Sequence, residues 1–140
     1  MLVLFFGVAQ APSIVTAASK FVPGVTWRPK SVVTADFSCR RGKEQAILGV
    51  TATEIVIAVF LNGTTNKPEV LRYSASARDA TEVKLTLESL DYDPKAEAFS
   101  ELPGFRRSRT CKGLNLSDDK VDSAHIYWNH DAKRFDDWVR

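Results

Sequence analysis

The chain has few of the residues on which common catalytic and metal sites depend. Its 140 residues include two cysteines and two histidines. It contains no Cys-x-x-Cys, no His-x-x-x-His and no glycine-rich phosphate loop. No apolar run reaches the roughly 20 residues that a bilayer-spanning helix needs. The sequence therefore offers no support for a thiol redox motif, a paired-histidine metal site, a phosphate-binding loop or a transmembrane segment.

Excess charge is also lacking. The formal net charge of +2 is too small to indicate specific nucleic-acid binding. No internal repeat or low-complexity tract is present, and no pattern predicts a cofactor. A chain of this size buries roughly two-thirds of its unfolded surface as one domain. The sequence therefore predicts a single domain.

The first residues are apolar and carry no charged side chain, which is typical of a secretory signal peptide. Small residues follow at signal-peptidase spacing, in an Ala-Gln-Ala that ends at Ala11 and a Thr-Ala-Ala that ends at Ala18. We favour cleavage after Ala18, because Pro12 would be the first mature residue at the other site. Residues 1–18 are thus predicted to be a signal peptide, although no basic residue precedes Lys20. The alternative is a buried N-terminal strand.

Two cysteines in an exported chain favour a disulfide, since two lone thiols make at most half a zinc site. The only intramolecular pair is Cys39–Cys111. The loop it would close corresponds to roughly 4 kcal/mol in the chain-entropy model. Together with the apolar leader, this pairing predicts a location in the periplasm or outside the cell. The alternative is two free, buried cysteines.

Alternating and β-branched residues predict a mainly β fold over residues 32–140, as an antiparallel sheet, a sandwich or a small barrel. The predicted strands lie at 32–37, 45–50, 55–61, 70–75, 83–88, 125–128 and 134–139. The run at 55–61 is apolar throughout, which is typical of a central strand. A single helical turn is expected near Lys95–Phe99. Residues 19–31 predict an extended lead-in that Trp27 fixes to the domain.

Two tryptophans, Trp128 and Trp138, fall on the predicted terminal hairpin. Aromatic residues on paired strands belong to core or cross-strand packing more often than to a ligand platform.

Residues 36–48 resemble the calcium loop of integrin-type FG-GAP repeats. Asp36, Ser38 and Glu44 fall on positions where that family places oxygen ligands. Arg40 stands at the centre, where another oxygen is needed, and its guanidinium repels a divalent cation. No metal site is therefore predicted there. Residues 115–122 echo the same pattern one residue short, with an acidic surface turn as the alternative.

The chain also resembles small uncharacterised secreted bacterial proteins. The resemblance lies in the Cys-Lys-Gly-Leu segment that begins at Cys111 and the Tyr-Trp-Asn-His that ends at His130. It implies no particular activity.

Seven basic residues flank the two cysteines, and pairing of the cysteines would bring them to one surface. They are Arg40, Arg41, Lys43, Arg106, Arg107, Arg109 and Lys112. Such a surface could bind carboxylate, phosphate or sulfated sugar through arginine forks. The alternative is a solvated face that nearby acids balance.

Catalytic patterns are weak. The acid pairs Asp91/Asp93 and Asp118/Asp119 are typical of turns, and Ser123 and His125 lie too close along one strand to form a triad with Asp122. We therefore predict no catalytic residue. The expected function is binding of a protein or of an anionic glycan or other envelope component. The alternatives are a small envelope glycan hydrolase and a purely structural envelope protein.

Overall fold

Two antiparallel sheets dominate the computed structural model, which describes residues 13–76, 79–120 and 122–140. The helices are α1 (Ile14–Phe21) and α2 (Pro94–Glu97). The strands are β1 (Thr26–Trp27), β2 (Val33–Ala35), β3 (Glu44–Val50), β4 (Glu54–Phe60), β5 (Glu69–Ser74), β6 (Lys84–Leu90), β7 (Ser108–Ser117), β8 (Ala124–Asn129) and β9 (Arg134–Val139). A 3₁₀ turn at Pro29–Ser31 joins β1 to β2.

The first sheet has the strand order β1-β3-β4-β5. Strands β1 and β2 pair with the same edge of β3, β2 along its first residues and β1 along its last. As predicted, β4 is a central strand. Its alternate residues Ile55, Ile57 and Val59 belong to the core between the sheets. Val56 and Phe60 point to the opposite face, which α1 covers. Every position of β4 after its first residue is therefore buried, which explains its unbroken apolar sequence.

Helix α1 packs on the outer face of the first sheet. Ser13 caps it, because the Ser13 Oγ accepts a hydrogen bond from the Thr16 N–H at 3.2 Å. Ala17 and Ala18 are fully buried, and their small side chains let the helix approach the sheet closely. The Ala18 cleavage site thus lies inside α1. Most of the predicted signal peptide, residues 1–12, lies outside the described residues, and the leader stays a prediction.

The lead-in at 19–31 is more structured than the extended segment that the sequence predicts. It contains the end of α1, then β1 and the 3₁₀ turn. Trp27 is buried and packs over Gly49, where an added Cβ would lie 2.6 Å from a ring carbon of Trp27. Residue 49 is therefore glycine because the indole needs the space.

The second sheet has the order β6-β7-β8-β9 and faces the first. Its inner residues, including Leu114, Leu116 and Ile126, join the core between the sheets, so the fold is a β-sandwich. This confirms the mainly β prediction. The segment between β6 and β7 covers part of the outer face, where Tyr127 contacts Phe105. The described residues contain no helix long and apolar enough to span a membrane.

Cys39 and Cys111 form the predicted disulfide, with Cα atoms 5.4 Å apart and a sequence separation of 72. The bond joins the β2–β3 loop of the first sheet to β7 of the second sheet.

Candidate functional site

The β2–β3 loop is built around the buried carboxylate of Glu44. The Glu44 Oε1 accepts hydrogen bonds from the backbone N–H groups of Phe37 and Ser38, at 2.7 and 2.8 Å. The Glu44 Oε2 accepts one from Ser38 Oγ at 2.7 Å. Glu44 is only 2% exposed. These donors replace the water that the carboxylate loses on burial.

The guanidinium of Arg40 lies inside this loop. Its Nε donates to Ser38 Oγ at 2.9 Å, and its Nη2 lies 3.3 Å from Glu44 Oε2 and 3.2 Å from the Leu61 carbonyl oxygen. Ser38 and Glu44, which lie at positions that resemble calcium ligands, therefore both contact the guanidinium of Arg40. Within the described ranges, no group of three His, Cys, Asp or Glu side chains is placed to hold a metal ion.

Asp36 connects the two halves of the disulfide region. Its carboxylate accepts hydrogen bonds from the N–H groups of Arg40 and Arg41, at 3.1 and 2.8 Å. Its backbone carbonyl accepts one from the Lys112 N–H at 2.9 Å. The backbones of Arg40, Arg41 and Lys112 therefore meet at Asp36, beside the bridge.

Arg107 and Arg109 share one carboxylate. The Arg107 Nε lies 2.8 Å from Asp91 Oδ1, and the Arg109 Nε lies 3.7 Å from Asp91 Oδ2. The hydrogen bond from Arg107, followed by the charges of both arginines, holds the pKa of Asp91 below its ordinary value. One negative charge thus faces two positive ones, and a positive charge remains in excess.

The two arginines line an open groove of about 410 Å³ with Asp91 and Ser108. The side chain of Arg109 is 91% exposed. Neither arginine makes a hydrogen bond through its terminal Nη atoms to any residue that the structure describes. The donor forks of both guanidinium groups are therefore available to a bound anion.

The other four predicted cations have no ion-pair partner among the described residues. Arg41, Lys43 and Arg106 are exposed, and Lys112 is half-buried. Arg106 lies beside the β8–β9 turn. Burial, and then the charges of Arg106 and Lys133, lower the pKa of His130 in this turn.

The predicted acid pairs have separate structural roles. Asp91 binds Arg107, and the Asp93 Oδ1 accepts the Lys95 N–H at 3.0 Å, which caps α2. Asp119 forms an ion pair with Lys84 at 3.3 Å. No two of these carboxylates share a described cleft of the kind that a glycosidase uses.

Residues 115–120 match the acidic surface turn only at Asp119 and Lys120, which are exposed. Asn115 to Ser117 continue β7, and Asp118 is buried at 2% exposure. The Asp118 Oδ2 accepts a hydrogen bond from the Asp79 N–H at 2.7 Å. Asp118 therefore holds the segment around Asp79, which precedes β6, and it is not part of an exposed acidic turn.

A second polar group, which the sequence analysis missed, lies on the outer face of the second sheet. The Nδ1 of His125 lies 2.5 Å from Glu88 Oε1, and the Asn115 Nδ2 donates to the same oxygen at 3.1 Å. Glu88 pairs in register with Gly113 of β7, the strand between β6 and β8. The Glu88 Oε2 is buried without a partner among the described residues.

Trp138 completes this group from β9. It pairs in register with His125, and the two rings stack with centroids 3.9 Å apart. The Trp138 Nε1 donates to Tyr92 Oη at 3.2 Å. The sequence expectation of cross-strand packing is met here, and also at Trp128, which contacts Phe135 edge-to-face.

Strand alternation could have placed these residues on one face. Thr86 and Glu88 alternate with apolar residues in β6, and His125 alternates with Ala124 and Ile126 in β8. The sequence does not reveal the order of the strands in the sheet. The contact between Glu88 and His125 could not be predicted without that order.

Comparisons with models of protein families, with curated proteins and with solved structures find no match to this chain.

Proposed function

We propose that the protein is an exported binding domain that recognises an anionic group on a protein or an envelope glycan. The observation that carries the proposal is the pair Arg107 and Arg109, which share the single carboxylate of Asp91 and keep their terminal donors unoccupied. Arginine forks of this kind bind carboxylate, phosphate and sulfate with two parallel hydrogen bonds.

The disulfide supports both parts of the proposal. Disulfides persist in oxidising compartments, which agrees with the apolar leader in the sequence. The bridge also fixes the loop that carries Arg41 and Lys43 against β7. A rigid set of cations loses less conformational entropy on binding than the same residues on a free loop.

Immobilised heparin tests the proposal, with Arg107→Gln/Arg109→Gln compared with Lys20→Gln/Lys30→Gln. Both double variants remove the same charge, but Lys20 and Lys30 precede β2, on the part of the chain that packs with the first sheet. We expect the arginine variant to elute from immobilised heparin at markedly lower salt than the lysine variant. Equal losses would show that net charge alone governs retention, and would contradict the proposal.

The same assay tests the role of the disulfide. The oxidised protein should bind more tightly than the Cys39→Ser/Cys111→Ser variant, although the net charge is equal. Circular dichroism should first establish that the variant is folded. The difference should shrink with added salt, because exposed charges are screened beyond about 8 Å at physiological ionic strength.

A further inference from the structure

A small cleft opens beside the Glu88–His125 pair. It has a volume of about 160 Å³ and is lined by Glu88, Ser89, Tyr92, Glu97, His125 and Trp138. Ligand sites for drug-sized molecules are larger, about 300 Å³ or more. The cleft therefore suits a single small chemical group at the end of a larger molecule.

The lining of the cleft includes two acidic side chains. Glu88 and Glu97 both line it, and no lysine or arginine does. Burial raises the pKa of the Tyr92 hydroxyl, and the hydrogen bond from Trp138 opposes this change. The negative charges of Glu88 and Glu97 raise the pKa of Tyr92 further, so both carboxylates act on this residue. An anionic ligand would be repelled by this site, whereas a cation would be attracted to it.

Three of the other four lining residues are aromatic: Tyr92, His125 and Trp138. Trp138 and Tyr92 meet edge-to-face with ring centroids 6.1 Å apart, and their polar atoms are bonded to each other. His125 covers one face of the Trp138 indole, so a cation would meet the other face or the ring of Tyr92. The negative faces of aromatic rings attract organic cations, and indole does so most strongly. Negative charge beside aromatic rings matches an alkylammonium or guanidinium group in chemistry, and the volume of the cleft matches such a group in size.

We propose that this cleft binds an alkylammonium or guanidinium group, which either a free amine or a lysine or arginine side chain of a partner protein would present. Glu97 is exposed and supplies charge at the entrance, while Glu88 supplies charge at the base, where His125 and Asn115 hold it. This second site shares no residue with the arginine groove of the proposed function.

Nuclear magnetic resonance of the intact protein tests the proposal through the Trp138 indole N–H and the His125 ring. The probe is n-butylammonium, and 1-butanol and butyrate are controls of similar size without positive charge. We expect saturable shifts of these resonances with butylammonium alone. Equal shifts with 1-butanol, or no shift with butylammonium, would overturn the proposal.

Charge variants add a second measurement. Glu97→Gln should weaken butylammonium binding about fivefold, the effect of one unit charge a few ångströms away at the surface. Glu69→Gln, an exposed β5 residue on the first sheet, is the matched control and should leave binding unchanged. Equal effects of the two variants would contradict the site.

One further probe, a lysine-containing peptide, identifies the source of the cation. If a lysine-containing peptide binds more tightly than butylammonium, the ligand is a protein side chain. If the peptide binds more weakly, a free amine is the ligand, and either ranking supports the cleft. Heparin retention of Glu97→Gln should match that of the wild type, so failure here is distinguishable from failure of the proposed function.

Discussion

The guanidinium of Arg40 lies 3.3 Å from the carboxylate of Glu44, inside a loop whose backbone N–H groups bind the same carboxylate. The side chain of Glu44 is 2% exposed, while that of Arg40 is 53% exposed. The arginine thus supplies positive charge to a buried acid from the protein surface. A loop that resembles a calcium site by sequence is held together by one of its own side chains.

Replacement of Arg40 should destabilise the protein. We expect Arg40→Ala to lower the free energy of unfolding by about 1–2 kcal/mol, because a charge-assisted contact to a buried carboxylate is lost from a half-exposed position. Urea unfolding measures the change. The control is Arg41→Ala, whose side chain has no partner among the described residues and should change stability by less than about 0.5 kcal/mol. Equal effects would contradict this account of the loop.

Calcium should not change stability. The oxygens of Ser38 and Glu44 already contact the guanidinium of Arg40, and a ligand that binds only the folded protein must raise its stability. We expect the same melting temperature with millimolar calcium and with a chelator. A shift of several degrees would reveal a calcium site.

Helix α1 should be necessary for stability. A protein that begins at Ser19 loses Ile14, Ala17 and Ala18 and exposes Phe60 on the first sheet. We expect it to unfold with a free energy lower by about 3 kcal/mol or more than a protein that begins at Ser13. Urea unfolding and binding of a hydrophobic dye measure the difference. Equal stability would show that α1 is dispensable.

This truncation bears on processing. If α1 is required, the exported protein should retain it, and N-terminal sequencing should find a start upstream of Ile14. The Ala-Gln-Ala that ends at Ala11 is the other candidate site, and cleavage there would make Pro12 the first mature residue.

Removal of the disulfide should lower the free energy of unfolding by about 2–5 kcal/mol. The variant Cys39→Ser/Cys111→Ser measures this, and the fully reduced wild type should unfold at a similar denaturant concentration. Titration of the untreated protein with a thiol reagent should detect no free thiol. Two reactive thiols would exclude the bridge.

His130 should make stability depend on pH. The histidine pKa is 6.5 in an unfolded chain, and burial lowers it in the folded protein. As pH falls below about 6.5, the unfolded chain therefore binds a proton before the folded protein does, and stability decreases. Above that pH the contribution is fully present. His130→Gln should reduce the loss of stability between about pH 7 and about pH 5, and an unchanged loss would assign it to other groups.

The sequence predicts the sandwich core well, because a strand that is buried on both faces has an unbroken run of apolar residues. The unbroken apolar run of β4 indicates a central strand, and the two cysteines indicate the bridge. Helix α1 was not predicted, since its small residues follow an apolar leader and match a cleavage site. Strand β7 was not predicted either, because the acidic pattern after Asn115 suggested a loop in place of the alternation of Leu114 and Leu116.

The sites were less predictable than the fold. The disulfide joins the β2–β3 loop to β7, and the Lys112 N–H bonds to the Asp36 carbonyl of that loop. Asp91 contacts Arg107 and Arg109 because the segment between β6 and β7 folds back on itself. Hydrophobic periodicity does not predict the course of such a segment. Glu88 and His125 lie 37 residues apart, and they meet only because β7 lies between β6 and β8.

Strand β4 also determines what happens when folding fails. Its segment Ile55–Phe60 is apolar at six successive positions, with β-branched residues and no proline or charge, which is the composition of self-associating cross-β segments. Neighbouring strands cover both of its edges in the sandwich, and α1 and the second sheet cover its faces. Variants that weaken the packing of α1, of the neighbouring strands or of the second sheet on β4 should therefore form insoluble aggregates. They should not accumulate as soluble, partly folded protein.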